Sequence, residues 1–393
     1  MREVLKGHGH GRDGVLLTGA TGFLGMELLA RYLERTDRTV YTLVRAESQG
    51  AADARLRSVL ESLLGDTEAY VHRVVALRGD LCRPGLGLTA VRREQLAEAV
   101  TDVVHCAASI SFELPLREAR EINVEGTRQL LELAALAQCR GGLRSFSHVS
   151  TAYVAGDWRG IFGEDDFASG QRFRNTYEQT KYEAELLVRR HATTLPVQIF
   201  RPSIVVGDSR SGYTSAFNVI YSPLRAFSRG TYAAIPGRSS APVDVVPVDY
   251  VADAIFGLAG RPGTVHHLTA GERATTLGEL VELATSYFDR PRPRMISPSL
   301  YRRLAHPLLV RRAKGARRRA LQRSQVYFPY FDAQVRYDNS HTQAALRALG
   351  ISVPPIGDYF ERLMSFADRT DWGRRPLARA QAQASRPRAL VAA

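Results

Sequence analysis

Cysteine is scarce in this chain. Only Cys82, Cys106 and Cys139 occur among 393 residues. An odd number without metal-ligand spacing excludes a disulfide framework and a cysteine-held zinc, and it predicts a reducing compartment. Long apolar runs are missing too. The first apolar stretch, VLLTGATGFLGMELLARYL, is broken by three glycines and two threonines, and the opening MREVLKGHGHGRDG is polar. Neither is the pattern of a signal peptide or a membrane span, so a cytoplasmic location is expected. Acidic residues are absent from two segments. Residues 302–323 carry nine Arg or Lys, and residues 373–393 carry five Arg. These two segments account for the net charge of +13, and the remainder is near neutral. Basicity confined to such segments argues against a nucleic-acid partner for the fold as a whole.

What is present is an alternation. Short apolar runs at 15–18, 39–46, 72–81, 102–109, 145–151 and 197–207 are separated by helical patterns. That order predicts an α/β fold, a Rossmann-type doubly wound parallel sheet covered on both faces. The 45% hydrophobic content supplies a core, and the length calls for more than one ordinary domain. The predicted division is an N-terminal extension (1–14), a dinucleotide-binding domain (15–207) and a smaller C-terminal substrate-binding region. Residues 243–270 return a late strand and helix to the first domain. Residues 208–242 and 271–372 form the substrate and lid region, and 373–393 form a disordered basic tail. No internal repeat occurs.

Gly19, Gly22 and Gly25 fall between the first strand and first helix. Glycines there let the backbone turn sharply and approach a pyrophosphate at the helix N-terminus. Arg45 ends the second strand, where an acid would bind a ribose 2′-hydroxyl and an arginine pairs with a 2′-phosphate; this predicts NADP(H) rather than NAD. Asp80 ends the third strand, placed to accept a bond from an adenine amino group or to shape a turn. Tyr177 and Lys181 lie one helical turn apart on one face of the segment NTYEQTKYEAELL. A phenol titrates near 10, and a neighbouring ammonium is expected to lower that value and fit it for proton transfer. Ser150 and Thr151 end the fifth strand at the carboxyl edge, where such sheets bind ligands. Either hydroxyl could hold a substrate oxygen beside the phenol.

These motifs, in this order over residues 15–207, resemble the extended short-chain dehydrogenases/reductases. The matching stretches are TGATGFLG, Asp80-Leu81, HCAAS, the Ser/Thr end of strand five and Tyr-x-x-x-Lys. Further stretches resemble the fatty acyl-CoA reductase and thioester reductase branch, also called male-sterility-type: LVRA (43–46), ISFELPLREAREINVEGTRQLLELA (110–134), HVSTAYVAG (148–156), FRPSIVVG (200–207) and VDVVPVDYVADAI (243–255). The resemblance implies NADPH-dependent reduction of an acyl thioester, on CoA or an acyl carrier protein, to an aldehyde and in some members to the alcohol. It implies Thr151 as the carbonyl-binding hydroxyl, with Ser150 as the alternative, Tyr177 as proton donor, and Lys181 as the group that tunes Tyr177 and holds the ribose. It also implies a cofactor site of Gly19, Thr21, Gly22, Phe23, Leu24, Gly25, Arg45, Asp80, Leu81, Ala107, Ala108, Pro202 and Ile204, shared with Tyr177 and Lys181, and no metal.

The competing expectations are a nucleotide-sugar epimerase/dehydratase, a hydroxysteroid-type dehydrogenase and a non-catalytic NADP-binding regulator. Arg45 weighs against the sugar reading, and the retained Tyr–Lys pair weighs against the regulator. The basic segment 302–323, with Leu304, Leu308, Leu309 and Leu321, is read as a solvated face, a peripheral membrane contact or an attractor for a phosphate-bearing thioester carrier. Monomer and homodimer are both compatible with the sequence.

Overall fold

The six short apolar runs and the late strand lie side by side as one seven-stranded parallel sheet in the computed structural model. The structure describes residues 13–384 apart from 233, 302, 304, 305, 316, 317, 319–329, 331 and 332. The sheet strands are β1 (Gly14–Thr18), β2 (Val40–Val44), β3 (Val74–Arg78), β4 (Val100–His105) and β5 (Ser145–Val149). Beyond the separate β6 (Arg159–Phe162), the sheet takes in β7 (Val197–Pro202) and β8 (Val265–Leu268). Their spatial order is β8-β7-β5-β4-β1-β2-β3. The late strand β8 pairs with β7 through His266↔Phe200 and its neighbours.

Burial on both faces explains why the strands read as continuous apolar runs and not as alternating ones. In β1, Val15 and Leu17 join the core shared with helices α1 (Phe23–Arg35) and α2 (Gln49–Leu64). Leu16 points the other way, into the core shared with α3 (Ala90–Ala99) and the long helical run of α4 (Leu116–Arg120), a single π turn (Glu121–Glu125) and α5 (Gly126–Gly141). The strand order reverses at β1, which has β2 on one side and β4 on the other. A crevice at the carboxyl ends of these strands is where ligands bind in sheets of this kind.

The C-terminal region is tied to this sheet by buried polar groups. β6 pairs in parallel with β9 (Gln334–Tyr337). Just past β6, the Glu164 carboxylate accepts from the backbone N–H groups of His267 (3.1 Å), His341 (3.0 Å) and Thr342 (3.3 Å), and from the Thr342 hydroxyl. It thereby caps the helix Ser340–Arg347, where a negative charge is favoured by the helix dipole.

The tail departs from the sequence expectation. Residues 379–384 form a helix, and Arg379 is 4% exposed. Its guanidinium reaches Glu27 at 2.9 Å and Glu34 at 3.0 Å on α1. Glu27 is 1% exposed and also pairs with Arg31. A buried carboxylate needs compensation, and that pairing orders a stretch whose apolar content alone does not. Residues 385–393 lie outside the described residues. Of the basic segment, residues 303, 306–315 and 318 are described. Pro307 sits in the first turn of the helix His306–Arg312, and Leu308 and Leu309 are exposed. The expected contacts of Leu304 and Leu321 lie outside the described residues. Among the described residues no helix is long and apolar enough to cross a membrane.

Candidate active site

The glycine turn closes tightly on itself. Gly19 has φ +79°, and a Cβ there would lie 2.8 Å from the Ala107 nitrogen at the end of β4. A Cβ on Gly25 would lie 2.0 Å from the Gly19 carbonyl oxygen. Both positions are therefore closed to any other residue. Gly22 is the N-cap of α1. No side chain caps that terminus and no acid occupies its first turn. Its free N–H groups and dipole form an anion site, which fits a pyrophosphate. The Thr18 hydroxyl accepts from the Ala107 nitrogen (3.3 Å), so the turn and the HCAAS segment hold each other. Thr21, Phe23, Leu24, Ala107 and Ala108 are all half-buried around this turn.

Arg45 is exposed past the end of β2, as expected. Beside it stands a residue the sequence reading missed. Arg55, from α2, donates to the Arg45 carbonyl at 3.1 Å and to the Thr21 hydroxyl at 3.3 Å. A second guanidinium thus lies against the glycine turn, ten residues along in a helix whose register the sequence did not reveal. Asp80 shapes its own turn, accepting from the Cys82 nitrogen at 3.0 Å. Leu81 packs on Gly126 at the start of α5, where an added Cβ would come within 3.0 Å.

Helix α6 (Thr176–Arg190) begins at Asn175, whose side chain accepts from the Glu178 nitrogen. It carries Tyr177 and Lys181 to the carboxyl end of β5. The Thr151 hydroxyl neighbours the Tyr177 phenol and acts to lower its pKa. The Thr151 hydroxyl also accepts from the Tyr153 nitrogen (3.2 Å) and lies 3.4 Å from the Pro202 carbonyl. Pro202 is buried and Ile204 half-buried beside it. Ser150 faces elsewhere: its hydroxyl donates to Glu185 at 2.6 Å. The two hydroxyls that the sequence left as alternatives are thus divided, Thr151 toward the phenol and Ser150 into a buried ion pair.

Lys181 is buried, and its ammonium donates to the Val149 carbonyl at 2.7 Å. Burial pushes it down to about 8, only partly offset by Cys106 and Glu185. The expected lowering of Tyr177 by this ammonium does not occur. Desolvation pushes the phenol up to about 12; the Thr151 hydroxyl lowers it, while Glu178 and Cys106 raise it further. The pair argument from sequence weighed only the charge one turn away, whereas desolvation is the largest influence on the packed phenol. Such a phenol stays protonated at neutral pH. Below pH 8 Lys181 is charged; above it the charge is lost. The pH profile of kcat/KM is therefore expected to fall on the alkaline side with an apparent pKa near 8. A flat profile through pH 10 would show that the reaction does not use the ammonium.

Asn123, in the π turn, braces the helix from behind. Its side chain accepts from the Ser109 nitrogen (2.7 Å) and donates to the Ser109 carbonyl (3.1 Å) and the Thr180 hydroxyl (2.9 Å). A π turn beside a site is a common device for aiming one side chain.

Comparison with known proteins places this architecture. A family model described as male sterility protein matches residues 17–255. The Drosophila melanogaster fatty acyl-CoA reductase wat is 30% identical over 280 residues, covering 63% of this chain and 54% of its own length. The isonitrile lipopeptide synthase of Streptomyces coeruleorubidus is 34% identical over 297 residues, 71% of this chain and 20% of its own length. The crystal structure of the terminal R domain from the myxalamid PKS-NRPS biosynthetic pathway superposes with a TM-score of 0.80 at 28% identity, covering 94% of this chain and 93% of that one. The chain spans about half, or less, of the length of the curated relatives it matches.

Proposed function

The chain belongs to the male sterility protein family, in the thioester-reductase branch of the extended short-chain dehydrogenases/reductases, and on that premise we propose that it reduces an acyl thioester to an aldehyde with NADPH. The observation that carries this reading is the gathering of Thr151, Tyr177 and Lys181 at the carboxyl end of β5, with the buried Lys181 ammonium on the Val149 carbonyl and the Thr151 hydroxyl acting on the phenol. The dinucleotide, when bound, supplies a hydride to the thioester carbon. Charge then develops on the carbonyl oxygen. Thr151 donates to that oxygen and Tyr177 gives it a proton, which is stabilisation placed where the charge appears. When the C–S bond then breaks, the hydroxyl gives its proton back to Tyr177 and the sulfur leaves as thiolate, so that the aldehyde remains. Lys181 holds the ribose and steadies the phenolic end of the site. The glycine turn and α1 hold the pyrophosphate. Residues 15–207 with 243–270 bind the cofactor, and 208–242 with 271–372 frame the acyl group. The thiol partner is CoA or an acyl carrier protein.

Arg45 and Arg55 support NADP over NAD, because two guanidiniums suit a 2′-phosphate. The test is NADPH and NADH consumption with acyl-CoAs from short to very long, products identified by mass. Thioester-dependent oxidation of NADPH with aldehyde formed is expected. Arg45→Ala and Arg55→Ala should each raise KM for NADPH by about tenfold or more, the scale of one hydrogen bond between charged groups, and leave NADH unaffected. No thioester-dependent oxidation with CoA or carrier-bound substrates would overturn the reading.

A further inference from the structure

The C-terminal region reaches back to the start of the catalytic helix through the side chain of Tyr330. Tyr330 lies 152 residues beyond Glu178, yet its hydroxyl donates to Glu178 Oε1 at 2.6 Å. The same hydroxyl accepts from Asn175 Nδ2 at 2.6 Å. Asn175 is the N-cap of α6, and its other amide atom accepts from the Glu178 nitrogen at 3.0 Å. Glu178 is fully buried and also accepts from the Arg174 backbone (2.9 Å) and guanidinium (3.2 Å). The first turn of α6, the turn that carries Tyr177, is thus closed by a cap in which Tyr330 joins the two capping side chains.

The ring of Tyr330 is placed as carefully as its hydroxyl. It stacks on Phe112 with centroids 5.6 Å apart and planes 21° apart. It meets Tyr153 edge-on at 5.3 Å, and the Arg174 guanidinium lies 5.4 Å from it. Phe112 in turn lies 5.7 Å from the ring of Tyr177. Phe112, Tyr153 and Tyr330 make an apolar wall beside the proton donor. Such a wall suits an acyl chain, and the polar cap behind it suits a fixed phenol.

We propose that Tyr330 is a positioning residue for the reduction: its hydroxyl fixes the first turn of the catalytic helix, and its ring sets the wall against which the acyl group lies. This rests on the thioester-reductase reading, but the two roles separate by substitution. Tyr330→Phe keeps the wall and removes the clip. It lowers kcat by about tenfold, the scale of one hydrogen bond to a charged group, and leaves KM for acyl-CoA within about twofold. Tyr330→Leu removes both, and KM for long-chain acyl-CoA also rises by about tenfold, the scale of losing one buried aromatic contact. Hydrogen exchange at the amides of residues 176–178 provides a readout that needs no turnover. Exchange there quickens in Tyr330→Phe if the hydroxyl holds the cap. NADPH titration counts folded sites, so rates are compared per competent molecule, and Tyr330→Phe alone decides if Tyr330→Leu does not fold. Wild-type kcat with wild-type exchange in Tyr330→Phe overturns the inference. A wild-type protein that oxidises no NADPH with any thioester sinks the reductase reading, and the exchange result still tests the clip.

Discussion

Tyr177→Phe is expected to lower turnover by about 10²- to 10⁴-fold, the range for removing a positioned general acid, while NADPH binding stays within a few-fold. The substitution removes one oxygen and leaves the ring, so the contact with Phe112 persists. The glycine turn and the N-terminus of α1, which carry the proposed pyrophosphate contacts, are untouched. What disappears is the proton source. The oxyanion formed by hydride addition then keeps only Thr151 as a donor. Steady-state kinetics with the best acyl-CoA, beside a fluorescence titration with NADPH, separate the two effects. Unchanged turnover would remove Tyr177 from its assigned role. The raised phenol bears on direction: a group held at about 12 is protonated at neutral pH and gives its proton only to a strong base, such as an oxyanion newly formed by hydride addition. That protonation state agrees with the proton-donating role proposed for Tyr177.

The parts of this site that are local in the chain were legible in the sequence. The glycine turn, Arg45 and the Tyr177–Lys181 spacing all follow from single elements whose geometry the residues dictate. The sheet was legible because doubly covered strands leave unmistakable apolar runs. What escaped depends on meetings between distant segments. Arg55 reaches Thr21 only because α2 folds back along the turn. Tyr330 meets Asn175 across 155 residues of chain, which no local pattern announces. The choice between Ser150 and Thr151 turns on Glu185, which lies 35 residues from Ser150. The acidity of Tyr177 was misjudged for a related reason: the charged neighbour is visible in sequence, and desolvation, the largest influence on the phenol, is a property of the packed site.

Glu185 itself leads to the second large effect, on stability. Its carboxylate and the Arg201 guanidinium are both 0% exposed and meet at 2.7 Å. Burial alone would raise the carboxyl, but Arg201, Arg189 and Ser150 outweigh it and hold it below the usual range. Arg201 spends its remaining donors on the Glu164 carbonyl (3.3 Å) and His267 Nε2 (3.0 Å). Since an arginine can only donate, His267 accepts there, and its Nδ1 donates to the Asp338 carbonyl at 2.6 Å. The pair therefore joins α6, β7, β8 and the Asp338 carbonyl just past β9 in one buried network. Glu185→Leu strands a buried guanidinium and should cost about 3–5 kcal/mol, read as a lower urea midpoint. Adding Arg201→Met should recover a large part of that loss, because the unpaired charge goes with it. A Glu185→Leu protein as stable as the parent would mean that water or a shifted partner reaches Arg201. Equal losses in the single and double variants would put the cost in packing and not in charge. The expected recovery would place the loss in the stranded charge and not in the packing of α6 against the sheet.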